Sequence, residues 1–79
     1  MKILIVDDEH LGLARLKRML ETLGYTDITE ASDAVSALEA VRKSVFDLAL
    51  LDINMPKVSG LELGYELRYL QDNLPIIYQ

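Results

Sequence analysis

The chain has 79 residues, 51% of them hydrophobic and 27% charged, which fits one small globular domain and excludes a disordered segment. Thirteen acidic residues against 8 basic ones give a net charge of −5 with no basic cluster beyond Arg15, Lys17 and Arg18, so direct nucleic-acid binding by this segment is not expected. Cysteine is absent, which removes disulfides and thiolate metal sites, and no apolar run approaches the ~20 residues that span a bilayer, so no membrane partner is expected.

Met1-Lys2 leads directly into the apolar, β-branched run Ile3-Leu4-Ile5-Val6 with no signal-peptide pattern, an expectation of cytoplasmic location. That run, closed by Asp7-Asp8, reads as a parallel strand buried on both faces. Leu13, Leu16, Leu20 and Leu23 then recur at helical spacing, and Gly24 stands as a C-terminal stop. Thr26 to Ala31 is a weaker strand. Ser32 is in place to cap a second helix carrying Ala34, Ala37, Leu38 and Val41 on one side.

Phe46 to Leu51 returns to a continuous apolar strand and ends in Asp52. Ser59 with Glu62 three residues later fits a capping box, followed by Leu63, Leu67 and Leu70 on one helical face, although Gly64 weakens that helix by up to ~1 kcal/mol. Pro75 to Gln79 begins a fourth strand. The order βαβαβαβ predicts an α/β domain with a parallel sheet and right-handed crossovers, and the finish in an apolar strand suggests a fragment of a larger domain.

In such sheets ligands bind beyond the carboxyl ends of the strands, where Asp7, Asp8 and Asp52 all lie. If the first and third strands are neighbours, three carboxylates converge. Two negative charges ~4 Å apart repel by about 4 kcal/mol at an effective dielectric of 20, so such a cluster calls for protonation or a cation. Mg²⁺, a hard ion that keeps several waters, suits it, and leaves Asp52 placed as a nucleophile toward phosphorus. Met55-Pro56 would fix the following loop so that a backbone carbonyl faces the metal, and Ser59-Gly60 would start the next helix. Singly, each signal has a bland reading: an acidic pair after a strand is commonly a solvated turn, and a lone Asp there a turn former or cap. The joint pattern is far more specific.

Ile5-Val6-Asp7-Asp8-Glu9, Leu51-Asp52-Ile53-Asn54-Met55-Pro56, Gly60-Leu61-Glu62 and Leu74-Pro75-Ile76-Ile77 together resemble the receiver domain of two-component response regulators, and the likeness covers essentially the whole chain. The resemblance implies a flavodoxin-like doubly wound sheet of strand order 2-1-3-4. It implies Asp52 as phosphoacceptor, Asp8 as a direct Mg²⁺ ligand, Asp7 as a ligand that acts through water, and Asn54 as a ligand through its main-chain carbonyl. It further implies a histidine kinase as phosphodonor, an output domain or partner protein, with transcription as the output, and no enzymatic activity beyond the domain's own phosphorylation and dephosphorylation. Asp7-Asp8-Glu9 followed by His10-Leu11-Gly12-Leu13-Ala14-Arg15 is similar to regulators with a LytTR-type DNA-binding output. A full receiver has five strands and five helices, with a Thr or Ser closing the fourth strand and a Lys closing the fifth. Neither residue falls within these 79 positions, which sets an alternative beside the main reading: a phosphorylation-independent interaction or dimerisation module. Ile76-Ile77-Tyr78 as a bare edge strand leads to the expectation that the fragment is a homo-oligomer.

Other residues have plainer readings. His10 is a polar residue opening a surface helix, Lys57 a solvated loop charge, Tyr65 and Tyr69 an ordinary i, i+4 pair, and Tyr78 either partner surface or unburied core. A phosphatase of the haloacid dehalogenase type wants a second Asp two positions after its nucleophile, where this chain has Asn54. A dinucleotide-binding domain wants a glycine-rich turn after the first strand, which is lacking.

Overall fold

The computed structural model describes residues 1–55 and 59–79. Four strands, β1 (Lys2–Val6), β2 (Asp27–Ala31), β3 (Leu48–Leu51) and β4 (Ile76–Tyr78), alternate with three helices, α1 (His10–Thr22), α2 (Ala34–Lys43) and α3 (Gly60–Leu70). The strands form one parallel sheet in the order β2-β1-β3-β4. This is the doubly wound, flavodoxin-like architecture expected from the sequence.

The continuous apolar runs are explained by the two faces of the sheet. Alternate β1 side chains point to opposite sides: Ile3 and Ile5 join Leu13 and Leu20 of α1 and Leu50 of β3 in one cluster. Leu4 and Val6 join Ala37 and Val41 of α2, Leu63 and Leu67 of α3, and Leu51 in the other. Ile3, Leu4, Ile5 and Val6 are all fully buried, so no position from Ile3 to Val6 tolerates a polar residue, and the acidic pair begins only after the strand ends.

Helix boundaries follow local chemistry, with some departures from expectation. Half of the expected capping box forms, the Ser59 side chain accepting from Glu62 N–H at 3.2 Å. Gly24 adopts φ 97°, the left-handed conformation that a glycine stop provides. For α2 the cap is Asp33, not Ser32: its carboxylate accepts from the Ser36 N–H at 2.8 Å and the Ser36 hydroxyl at 2.7 Å. Leu23 is exposed because it lies past the last turn of α1, as the C-cap, and Leu70, the last residue of α3, is 40% exposed.

Strand β3 begins at Leu48, two residues later than the apolar pattern suggests. Phe46 N–H is taken by the Gln71 side chain at 3.0 Å, so it is not available to a ladder. Gln71 also donates through Nε2 to the carbonyls of Val41 and Ser44, at 3.0 and 2.7 Å. One side chain therefore ties the end of α2, the entry to β3 and the end of α3. Gly64 is not a mere helix weakness: a Cβ there would overlap the Tyr78 hydroxyl, and Tyr78 packs half-buried against the core, which settles its place in the fold. Among the described residues no helix is long and apolar enough to cross a membrane.

Candidate metal centre

The sheet register carries the acidic residues to one point. Val6 pairs with Leu51 across β1 and β3, and the ladder continues one step further, Asp52 N–H donating to Val6 carbonyl at 3.0 Å. On the other side Asp7 N–H donates to Ala31 carbonyl at 3.2 Å. Asp7 and Asp52 thus leave adjacent strands at the same level. Asp7, Asp8 and Asp52 each offer a carboxylate oxygen, and these oxygens lie within 4.8 Å of one another.

Local contacts fix the orientation of two of the three. Asp7 accepts the Glu9 N–H at 3.0 Å, and Asp52 accepts the Asn54 N–H at 3.0 Å through Oδ1. Both are turns in which an aspartate holds the backbone two residues on. Close backbone approach does the rest. A Cβ on Gly12 would overlap the Asp7 carboxylate, and one on Gly60 would overlap the Asp52 carbonyl, so α1 and α3 press against the acid-bearing loops only because both positions are glycine. Neither role was visible from local sequence pattern.

The electrostatics carry the mark of crowding. The Asp7 carboxyl is pushed above its ordinary value first by burial, with the charge and hydrogen bonding of Asp52 and the charge of Asp8 adding to it, while the Glu9 N–H pulls the other way. Protonation or a cation relieves this. The donor set fits a hard divalent ion, because all three groups offer carboxylate oxygens. Asn54 is exposed beside Asp52. Met55 packs half-buried against the core, anchoring the start of the loop. Pro56 and Lys57 lie outside the described residues. His10 opens α1, exposed, and belongs to neither the acidic group nor the cleft beside it. That cleft, of about 400 Å³, is bordered by Asp7, Glu9, Gly12, Arg15, Asp52 and Gln79.

Comparison with known proteins gives a consistent picture. The family model described as "Response regulator receiver domain" matches residues 3–79. Sensor protein EvgS of Escherichia coli O157:H7 is 46% identical over 76 residues, 96% of this chain and 6% of that protein. Response regulator MprA of Mycobacterium leprae is 42% identical over 77 residues, covering 98% of this chain and 33% of that one. The chain thus spans a third or less of these curated relatives. Among solved structures, response regulator TrrA from Thermotoga maritima, in complex with Mg²⁺-BeF, superposes with a TM-score of 0.89 at 40% identity, covering 99% of this chain and 68% of that one. The complex of Thermotoga maritima histidine kinase ThkA with TrrA matches with a TM-score of 0.88 at 40% identity, over 99% of this chain and 67% of the other.

Proposed function

This chain belongs to the response regulator receiver domain family, and on that premise we propose that Asp52 accepts a phosphoryl group from a histidine kinase, in a Mg²⁺-dependent transfer that alters the activity of an output domain acting on transcription. The observation that carries the reading is the convergence of the Asp7, Asp8 and Asp52 carboxylate oxygens within 4.8 Å at the carboxyl ends of β1 and β3. The kinase is supported by the structural likeness to TrrA bound to ThkA, and Mg²⁺ by the likeness to TrrA with Mg²⁺-BeF.

Asp7, Asp8, Asp52 and the Asn54 main-chain carbonyl would hold the ion. When bound, Mg²⁺ neutralises negative charge on the phosphoryl oxygens. Asp52 acts as nucleophile: one carboxylate oxygen forms a bond to phosphorus while the bond from phosphorus to the kinase histidine nitrogen breaks, the nitrogen keeping the electron pair. The products are an acyl phosphate on Asp52 and, once the departing nitrogen takes one proton from water, a neutral imidazole. The Asn54 N–H on Oδ1 fixes the carboxylate rotamer and leaves Oδ2 to attack. The domain catalyses its own modification and turns over no separate substrate.

The test is intact-mass spectrometry of the natural protein carrying this chain after incubation with acetyl phosphate and Mg²⁺. One base-labile phosphoryl group is expected, lost in Asp52→Asn. Labelling that persists in that variant refutes the assignment.

A further inference from the structure

Arg15 borders the same cleft as Asp7 and Asp52, on the face of α1 that also carries Gly12 one turn earlier. The side chains bordering the cleft include three carboxylates, those of Asp7, Glu9 and Asp52, and Arg15 is the one cation among the described residues there. Lys17, two positions on, is turned away and lies 4.0 Å from Glu30. Arg15 by contrast has no hydrogen bond or ion pair with any described residue. Among the described residues its guanidinium donors therefore engage no partner, in a cleft it lines together with three carboxylates.

That arrangement is poorly explained as fold stabilisation, since an exposed arginine without a partner contributes little. It has a clear use toward an anionic ligand. A phosphodonor approaching Asp52 brings its own negative charge into a field of carboxylates, and a cation at the rim offsets that repulsion during entry. Arginine also presents a planar fork that matches two phosphoryl oxygens at once, which a lysine does not. Resting on the phosphoacceptor reading of Asp52, we propose that Arg15 binds the phosphoryl oxygens of the incoming donor at the cleft rim beside Asp52. It forms and breaks no covalent bond: the Asp52 oxygen bonds to phosphorus as the donor's leaving group departs with its electron pair. Arg15 acts chiefly before that step, on capture of the donor.

The experiment compares Arg15→Gln and Arg15→Lys with the unsubstituted natural protein, using acetyl phosphate as donor at saturating Mg²⁺. Arg15→Gln should raise the half-saturating donor concentration about tenfold, the scale of one charge-assisted hydrogen bond, with the limiting rate held within about twofold. Arg15→Lys should recover part of the loss, and Mg²⁺ titration should give the same affinity in all three. Addition of inorganic phosphate should shift the Arg15 guanidinium NMR signal. An unchanged half-saturating concentration in Arg15→Gln, or a fall confined to the limiting rate, overturns the proposal. Asp52→Asn run alongside separates the two claims: labelling that survives in it sinks the phosphoacceptor reading, whereas Asp52-dependent labelling indifferent to Arg15 sinks only this one.

Discussion

Gly12 of α1 faces the Asp7 carboxylate so closely that no side chain fits between them. A helix is thereby packed directly against one member of the acidic cluster, and the two are coupled. Gly12→Ala gains up to ~1 kcal/mol of helix propensity but displaces the carboxylate. The expected outcome is a fold whose stability changes by no more than about 1 kcal/mol while Mg²⁺ affinity falls about tenfold, in the range seen when supporting contacts of a metal site are disturbed. Paired urea denaturation and Mg²⁺ titration check it; unchanged affinity would show that Asp7 relaxes freely.

Among the described residues Asp8 has no backbone partner of the kind that restrains Asp7 and Asp52. Asp8→Asn should lower Mg²⁺ affinity by at least about tenfold and at the same time stabilise the metal-free fold, because one repulsive charge is removed from the group. Calorimetric titration and thermal melting without metal are the measurements.

The pH dependence of the metal-free protein follows from Asp7. Its folded-state pKa is raised above the ordinary 3.8, so the folded state holds the proton more tightly than the unfolded chain. The stability this group contributes is fully present below 3.8 and is lost as pH rises through the raised folded value. Urea midpoints without metal should therefore fall across that window, and Asp7→Asn should flatten the fall. Mg²⁺ should offset the loss at higher pH, since it binds the ionised form. A midpoint that rises through the window in the parent, with no difference in Asp7→Asn, would contradict the assignment.

Gly64 and Tyr78 form a second tight contact, between α3 and β4. Gly64→Ala should destabilise by about 1–3 kcal/mol, overpacking outweighing the helix-propensity gain. The clashing atom is the Tyr78 hydroxyl, so adding Tyr78→Phe should recover much of the loss. A double-mutant cycle by chemical denaturation measures the coupling, and additive effects would mean that the contact is readily relieved.

Gln71 joins three elements through hydrogen bonds from Phe46 N–H and to the Val41 and Ser44 carbonyls. Gln71→Leu should cost about 2–3 kcal/mol by leaving those backbone groups without partners. It should also speed hydrogen exchange of the Phe46 amide specifically. Retained protection at Phe46 would show that another acceptor replaces the side chain.

Sequence alone determined the alternation of elements, because hydrophobic period is local: Ile3 to Val6, short, β-branched and closed by Asp7-Asp8, reads as a strand buried on both faces, and Ser59 with Glu62 announces a helix within four residues. The same pattern placed Asp7, Asp8 and Asp52 at strand ends. It was weaker where alternatives compete within a few residues, as between Ser32 and Asp33, and only the hydrogen bonds to Ser36 decided for Asp33. What periodicity cannot state is what a buried face meets. That β1 and β3 are neighbours in register, so that Asp7 and Asp52 stand side by side, was an expectation carried by resemblance until the ladder fixed it. The tertiary structure alone gave Gly12, Gly60 and Gly64 their common purpose, turned Gln71 into a three-way tie, and brought Arg15 to the rim of the acidic cleft. Each of these depends on contacts between elements distant along the chain, set by the packing of whole helices on the sheet, which no window of local sequence contains.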